Sequence, residues 1–205
     1  MSTVKTIAVI GAGTMGSGIA LTAAQSGIAA IQIDVSQAAL DKAKAGHAKI
    51  LARLVEKGKL QQDAADAALK RLCYVTDMAE AKSADWVVEA ATEHVEVKKK
   101  IFKAMQANFR ADVVLATNTS SISITDLASA VGSDAHRVIG MHFFNPVPIM
   151  KLVEVIKGIA TSDETTQRTI ELSKAMGKTP VPANDRAGFV SNRVLMPMIN
   201  EAFYA

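Results

Sequence analysis

The chain of 205 residues is poor in cysteine and aromatic residues, and each scarcity excludes a class of protein. Cys73, the one cysteine, cannot form an internal disulfide or a cysteine-based metal site, so we expect a reducing compartment and no metal. Aromatic residues make up 4% of the chain, too few for the stacking platforms that bind single-stranded nucleic acid. The formal net charge of +3 gives no further reason to expect a nucleic-acid partner.

Long hydrophobic runs are also missing. No apolar stretch approaches the roughly 20 residues that span a bilayer, and no segment before the first strand has the pattern of a signal peptide. We therefore expect no membrane association and a cytoplasmic location. The content of 49% hydrophobic and 21% charged residues is typical of globular proteins. The length suits one large domain, or one domain and part of a second.

Short apolar runs alternate with amphipathic stretches, which predicts an α/β fold. Strands are expected at 6–10, 30–34, 73–76, 86–89, 113–116, 137–141, 152–156 and 179–181. Helices are expected at 14–26, 37–56, 61–72, 94–109, 124–131, 163–176 and 188–205. This alternation is typical of a Rossmann-type, doubly wound and mostly parallel sheet. The helices at 37–56 and 61–72 form a hairpin insertion, which a minimal β-α-β unit does not need.

Two of the predicted helices have faces that raise a question about packing. The helix at 94–109 places Val97, Ile101 and Met105 at helical spacing, which indicates one apolar face. The helix at 188–205 is amphipathic and has no stop signal. We expect its apolar face to pack on another copy of the chain or on a following domain.

A glycine-rich motif, Gly11-Ala12-Gly13-Thr14-Met15-Gly16, lies between the first predicted strand and the first helix. In this motif the first glycine makes a tight turn, the second lets a pyrophosphate approach, and the third lets helix and strand pack closely. The N-terminus of the helix offers free N–H groups to the phosphates. The motif therefore predicts a dinucleotide site.

Asp34 at the end of the second strand distinguishes between the two nicotinamide cofactors. Its carboxylate can accept hydrogen bonds from both ribose hydroxyls and would repel a 2′-phosphate. The following residues, Val35, Ser36 and Gln37, include no arginine that could bind such a phosphate. The sequence predicts NAD. The alternatives are NADP, or a glycine-rich turn with a surface aspartate and no ligand.

Five later stretches point to a reaction, which the glycine motif cannot do. They are Val88-Glu-Ala-Ala-Thr-Glu93, Thr117-Asn-Thr-Ser-Ser121, His142-Phe-Phe-Asn-Pro-Val-Pro148, Lys151-Leu-Val-Glu-Val155 and Gly188-Phe-Val-Ser-Asn-Arg193. Taken in this order they resemble the 3-hydroxyacyl-CoA dehydrogenase family, which includes bacterial 3-hydroxybutyryl-CoA dehydrogenases. The resemblance covers nearly the whole chain, and the stretch that begins at His142 is its most specific part.

The residues of these stretches also make chemical sense on their own. Oxidation of a secondary alcohol needs a base, and histidine suits that task because its pKa lies near neutrality. His142 follows a predicted strand, where strand ends form the ligand crevice. Glu154 lies in an otherwise apolar strand, where an unpaired carboxylate is costly. It lies either on an exposed strand face or beside His142, and the resemblance implies the second, catalytic role.

The resemblance implies roles for further polar residues. Ser120 and Asn192 would bind the substrate oxygens. Without the resemblance, Ser120 would be a helix-capping or turn residue and Asn192 a helix cap. Ser121 would replace Ser120 if the match shifts by one residue. The implied contacts of the cofactor, beyond the residues of the glycine motif and Asp34, are Glu93, Lys98, Asn118, Ser120 and Asn145. The next two lysines, Lys99 and Lys100, are expected on the surface.

The resemblance implies NAD-dependent oxidation of an (S)-3-hydroxyacyl-CoA to a 3-ketoacyl-CoA, or the reverse, in the β-oxidation of fatty acids. A short-chain substrate such as 3-hydroxybutyryl-CoA is expected. The hairpin insertion would cover the CoA moiety, for which Lys57, Ser120 and Asn192 are candidate contacts.

The resemblance also implies a domain organisation. Residues 1–186 would form the NAD-binding domain, and residues 187–205 the first helix of an otherwise missing all-α C-terminal domain. That domain gives the family its dimer contact. Two alternatives are a non-catalytic NAD-binding protein of the crystallin or sensor kind, and a dehydrogenase of small β-hydroxyacids. Dehydrogenases of small β-hydroxyacids use a lysine as the key polar residue of their site. This sequence has no lysine in the corresponding place.

Overall fold

Apolar runs rich in valine and isoleucine form a single sheet in residues 4–205, the part of the chain that the computed structural model describes. The eight strands are β1 (Thr6–Ile10), β2 (Ala29–Ile33), β3 (Leu72–Val75), β4 (Trp86–Glu89), β5 (Val114–Thr117), β6 (Val138–Phe143), β7 (Leu152–Lys157) and β8 (Thr179–Asn184). The helices are α1 (Thr14–Gln25), α2 (Gln37–Glu56), α3 (Gln62–Lys70), α4 (Val95–Asn108), α5 (Ile124–Ala128), α6 (Asp163–Ala175) and α7 (Ser191–Tyr204). Short 3₁₀ helices occur at Met78–Ala81 and Ser129–Arg137.

The strand order is β3-β2-β1-β4-β5-β6-β7-β8. The chain moves outward from β1 in one direction to β3, and then returns to the other side of β1 with β4. This reversal creates the crevice at which doubly wound sheets bind their ligands. The strands pair in parallel except for β6 and β7, which are antiparallel. The predicted doubly wound, mostly parallel sheet is confirmed.

Helices cover both faces of this sheet, which explains why the central strands are mostly apolar. On one face Ile7 and Val9 pack in a cluster with Ile19 of α1. On the other face Ala8 and Ile10 pack in a cluster with Phe102 and other side chains of α4. Burial on both faces makes β1 a rigid base for the glycine-rich turn that follows it.

The buried face of α4 differs from the prediction. Val97 is 42% exposed, and the residues of α4 that are buried are Lys98, Phe102 and Met105. The predicted apolar face was therefore wrong at Val97, because the buried residue at that end of the helix is its neighbour Lys98. A lysine replaces a valine on the buried face because its ammonium group meets a buried carboxylate, which a hydrophobicity pattern cannot reveal.

Several element boundaries also differ from the prediction. The helix expected at 124–131 ends at Ala128 and continues as a 3₁₀ helix. The helix expected from Gly188 begins at Ser191, because Gly188 and Phe189 have φ angles of +75° and +50°. None of the residues of α7 is buried. Within residues 4–205 no helix combines the length and hydropathy that crossing a bilayer requires.

The hairpin insertion of α2 and α3 is anchored to the sheet by a buried histidine. The Ser36 hydroxyl caps α2 by accepting from the N–H of Ala39 at 3.3 Å. His47 on the buried face of α2 places Nε2 at 2.9 Å from the carbonyl oxygen of Ser17 in α1. Nε2 must donate there, so Nδ1 accepts from the Tyr74 hydroxyl at 2.8 Å. His47 thus joins the hairpin to the first helix in its neutral form.

This anchor predicts a pH-dependent contribution to stability. Burial lowers the pKa of His47 below its ordinary value of 6.5, although the hydrogen bond to Ser17 acts in the opposite direction. Below pH 6.5 the unfolded chain takes up a proton that folded His47 resists, so its contribution is present above that pH and is lost as the pH falls. His47→Gln should lower the free energy of unfolding by about 1–3 kcal/mol near neutral pH.

Urea unfolding of the wild type and His47→Gln between pH 7.5 and 5.5 checks this expectation. The difference between the two proteins should narrow toward the acid end. His136→Gln, which changes an exposed histidine, is the matched control and should give a small, constant difference. A His47→Gln difference that stays the same at every pH would contradict the assignment.

Candidate active site

The glycine-rich turn fits a ligand that approaches its backbone closely. Gly11 has a φ of +109°, and a Cβ atom there would lie 2.6 Å from the carbonyl oxygen of Ala90. A Cβ atom on Gly16 would collide with the carbonyl of Gly11, so the helix and the turn pack as predicted. Gly13 instead faces open space, with no atom within 4 Å of a Cβ position. The open space at Gly13, at the start of α1, suits the pyrophosphate of a dinucleotide.

A cleft of about 630 Å³ extends from this turn along α1 and α2. Ala12, Gly13, Thr14 and Asp34 line it, together with Asn145. The Asp34 carboxylate accepts from the N–H of Ala12 at 2.8 Å and from the N–H of Ser36 at 2.9 Å. These bonds fix the carboxylate at the rim of the cleft, and each oxygen retains a lone pair for a ribose hydroxyl.

A smaller cleft of about 240 Å³ lies on the other side of the turn, and its floor carries a buried ion pair. Met15, Glu93, Lys98 and Asn118 are among the residues that line it. Lys98 is 1% exposed and its Nζ lies 2.5 Å from Oε2 of Glu89, which is 0% exposed. The same ammonium group lies 3.8 Å from Glu93. Lys98 therefore lines this cleft, and the positive charge of its ammonium group is balanced by the carboxylate of Glu89.

Glu93 ties the ends of two strands together at this cleft. It accepts hydrogen bonds from the Ser120 N–H at 2.9 Å, from the Ser120 hydroxyl at 3.3 Å and from the Thr119 hydroxyl at 2.8 Å. Asn118 in the same turn accepts from the N–H of Phe143 at 2.9 Å. The turn after β5 is thus held on one side by Glu93 and on the other by the end of β6, beside His142.

His142 and Glu154 lie opposite each other on β6 and β7. Nδ1 of His142 and Oε2 of Glu154 are 2.8 Å apart. The two residues are 6% and 1% exposed, and the rings of Phe144 and Phe189 pack against the imidazole at centroid distances of 4.5 and 5.9 Å. The predicted contact between the two side chains is therefore present, and the exposed-face alternative for Glu154 is wrong.

The Glu154 carboxylate stays ionised in spite of its burial. Burial alone raises its pKa, but hydrogen bonds from His142 and from Ser191 outweigh that effect, and the net shift of the Glu154 pKa is downward. The ionised carboxylate can only accept, so Nδ1 of His142 carries a proton, and in the neutral form of the imidazole Nε2 then keeps a free lone pair. The arrangement is that of a base oriented by a carboxylate.

Asn192 lies in the second position of α7 and meets the turn after β5. Its amide donates to the carbonyl oxygen of Ser120 at 3.3 Å. Ser120, Ser121 and Asn192 line one open cavity of about 640 Å³, together with Arg193 and Met196 of α7. Tertiary structure thus brings together two residues that are 72 positions apart. Both serines line the cavity, so the cavity does not decide which of Ser120 and Ser121 is the substrate contact.

Lys57 is the predicted site residue that the structure leaves apart. It is exposed at the C-terminal cap of α2, and it does not line any of the cavities described above. Lys42, which lies earlier in the same helix, lines the large cleft instead. Lys99 lies partly exposed in an ion pair with Asp126 at 2.7 Å, and Lys100 is exposed, as expected.

Three residues of the site escaped the sequence reasoning. Glu89 follows three buried residues of β4, so a carboxylate at the end of a buried strand was a usable signal. Ser191 adjoins Asn192 but carries no signal of its own. Lys178 is buried and donates to the carbonyl oxygens of Val147 and Met150, which fixes the loop that carries Asn145. Among the residues from 4 onward, no group of three histidine, cysteine or acidic side chains could hold a metal.

Comparison with known proteins gives a consistent result. A family model described as 3-hydroxyacyl-CoA dehydrogenase, NAD binding domain, matches residues 6–186. A probable 3-hydroxybutyryl-CoA dehydrogenase of Deinococcus radiodurans is 50% identical over 194 residues, which cover 95% of this chain and 69% of that protein. The structure of an (S)-3-hydroxybutyryl-CoA dehydrogenase from Ralstonia eutropha has a TM-score of 0.95 at 47% identity, covering 98% of this chain and 71% of the other.

A third relative differs in length. The structure of a 3-hydroxybutyryl-CoA dehydrogenase from Escherichia coli has a TM-score of 0.96 at 46% identity, and the match covers 98% of this chain but 43% of that one. The chain therefore spans only part of the length of each of these three relatives.

The buried ion pair under the cleft predicts a non-additive stability effect. Lys98→Met leaves Glu89 buried without its cation and should lower the free energy of unfolding by about 3–5 kcal/mol. The double variant Lys98→Met with Glu89→Gln should lose less, because it buries no unpaired charge. Urea unfolding of both single variants and the double variant measures the coupling.

Lys100→Met, which changes an exposed lysine of the same helix, is the control and should alter stability by no more than about 0.5 kcal/mol. Simple additivity of the two single substitutions would show that Lys98 and Glu89 do not depend on each other.

Proposed function

This chain belongs to the 3-hydroxyacyl-CoA dehydrogenase family, and from that premise we propose that it carries the NAD-dependent oxidation of (S)-3-hydroxyacyl-CoA to 3-ketoacyl-CoA, or the reverse. The observation that carries the proposal is the buried contact of His142 with Glu154. It lies at the end of β6, where the N–H of Phe143 donates to Asn118, a residue that lines the smaller cleft. Short-chain substrates such as 3-hydroxybutyryl-CoA are proposed because the similar proteins carry that name.

His142 is the proposed base. Its free Nε2 takes the proton of the C3 hydroxyl, while Nδ1 keeps its hydrogen bond to Glu154. The imidazolium that forms is stabilised by the adjacent carboxylate, which lies in a poorly solvated setting where charge–charge attraction is strong. In the reverse direction the same imidazolium returns its proton to the carbonyl oxygen.

The other polar residues bind and orient. A bound NAD would supply the acceptor for the hydride of substrate C3. Gly13 and the N-terminus of α1 would hold its pyrophosphate, and Asp34 the ribose hydroxyls. Glu93, Lys98, Asn118 and Asn145 are further proposed contacts of the cofactor. Ser120 and Asn192 would bind substrate oxygens, because both line the cavity beside the turn after β5.

The domain organisation is part of the proposal. Residues 1–186 form the NAD-binding unit, and α7 begins a second, helical unit that would complete the acyl-CoA site. The exposed apolar side chains of α7, among them Leu195 and Phe203, support this division. A homodimer and a cytoplasmic location belong to the same proposal; the exposed free thiol of Cys73 is compatible with a reducing compartment. The hairpin of α2 and α3 would border the CoA moiety. Among the candidate CoA contacts, Lys57 has less support than Ser120 and Asn192, because it lines none of the cavities described above.

His142→Ala tests the proposed base. The variant should lower turnover of acetoacetyl-CoA with NADH by roughly 10²–10⁴-fold, the range for loss of a general acid or base. Binding of NADH, followed by its fluorescence, should change little. The measurement is the initial rate of absorbance loss at the NADH band, with His136→Ala as the control because that histidine is exposed.

Two results would oppose this assignment. Equal turnover by His142→Ala and wild type would remove His142 as the base. A wild type that binds NADH but reduces no 3-ketoacyl-CoA would favour the non-catalytic alternative.

Asp34→Ala tests the choice of cofactor. The variant should bind NAD roughly 10- to 100-fold more weakly, the value of one or two hydrogen bonds to a charged group, while NADP binding should weaken less. Calorimetric titration with each cofactor measures the ratio of the two affinities. Asp41→Ala, at an exposed position of α2, should leave the ratio unchanged, and an unchanged ratio in Asp34→Ala would contradict the proposed role.

A further inference from the structure

The start of α7 is held by the carboxylate of Glu154 and not by a side chain of its own cap. Val190, the residue before the helix, has no side-chain hydrogen bond to it. Oε1 of Glu154 instead accepts from the N–H of Val190 at 3.1 Å and from the N–H of Ser191 at 2.8 Å. The Ser191 hydroxyl donates a third bond to the same oxygen at 3.0 Å. A helix N-terminus offers such free donors, and a carboxylate is a favourable partner for them.

The two oxygens of Glu154 therefore face different elements. Oε1 receives the three donors at the start of α7, and Oε2 receives His142 on β6. Rotation of the carboxylate would break both sets of bonds at once. The orientation of Oε2 toward the imidazole thus depends on how firmly Oε1 is held, and Ser191 supplies two of the three bonds that hold it.

The surroundings of Glu154 contain few other groups that could take over this task. His142 is the titratable side chain in contact with it from β6, and β8 brings Val181 alongside it. The segment before α7 contributes Phe189, whose ring packs against His142, and Val190, which contributes only its backbone. Ser191 is thus the side chain from α7 that reaches the carboxylate.

We propose that Ser191 is a positioning residue for the proton transfer at His142: its hydroxyl and its N–H hold one oxygen of Glu154 so that the other faces the imidazole. The same bonds fix the first turn of α7, and with it Asn192, relative to His142. This inference rests on the proposed function, because the step that Ser191 serves is the proton transfer assigned to His142. The hydrogen bonds from Ser191 are also among the causes that lower the pKa of Glu154.

Ser191→Ala and Ser191→Thr separate the hydroxyl from the backbone contact, which both variants retain. In Ser191→Ala, the ¹³C resonance of the Glu154 carboxyl should titrate at higher pH than in wild type. Turnover of acetoacetyl-CoA with NADH should fall by about two- to tenfold, the value of one net hydrogen bond, with the KM for NADH unchanged. The acid limb of the turnover–pH profile should move to higher pH. Ser191→Thr keeps a hydroxyl and should restore both properties.

Ser162→Ala is the matched control. The Ser162 hydroxyl caps α6 by accepting from the N–H of Thr165 at 3.1 Å, away from the dyad. Its loss should lower stability, as loss of a helix cap does, without moving the Glu154 resonance or the pH profile. A merely structural role of Ser191 would give the same pattern as Ser162→Ala.

The outcomes distinguish this inference from the proposed function. If wild type turns over and Ser191→Ala matches it in turnover, in pH profile and in the Glu154 titration, the inference is overturned and the proposed function stands. If Ser191→Thr behaves like Ser191→Ala, the hydroxyl is not the group that acts, and the inference is also overturned. Absence of turnover in the wild type overturns the proposed function and the positioning role together.

Discussion

A buried carboxylate needs partners, and most of the candidate site can be understood from how Glu154 obtains them. The residue is 1% exposed in an otherwise apolar strand, and an ion in such a setting is tolerated only when hydrogen bonds replace its hydration. One partner comes from the neighbouring strand, where β6 and β7 run antiparallel and place His142 directly opposite. The others come from Val190 and from Ser191, the first residue of α7. The carboxylate therefore joins three elements that are distant in sequence.

The switch from parallel to antiparallel pairing has a direct chemical consequence. In the antiparallel pair, the end of β6 lies beside the beginning of β7. A residue near the end of β6, such as His142, can therefore contact a residue near the beginning of β7, such as Glu154, at the ligand crevice. His142 is thereby held at the edge that also carries the glycine-rich turn and Asn118. A purely parallel continuation would require a long crossover before the next strand.

A second buried charge follows the same rule. Lys98 occupies the buried face of α4 because Glu89 and Thr117 surround its ammonium group, with the Thr117 hydroxyl at 3.2 Å. Lys178 shows the same solution with carbonyl oxygens, which it takes from the loop after β6. Burial lowers the pKa of Lys178, and the nearby charge of Lys151 acts in the same direction. The buried charges of Lys98 and Lys178 thus lie where loops of the site are fixed.

The sequence alone determined the succession of strands and helices along the chain and the glycine-rich turn, because these depend on local patterns. It also identified Asp34 and the candidate pair His142 and Glu154, through local patterns and a resemblance carried by short motifs. It could not determine the exposed position of Val97, the isolation of Lys57, or the roles of Glu89 and Ser191. Those depend on which side chains meet across the fold. A lysine becomes a buried residue, and a serine becomes a partner of a carboxylate, only when another element supplies the opposite group within hydrogen-bond distance.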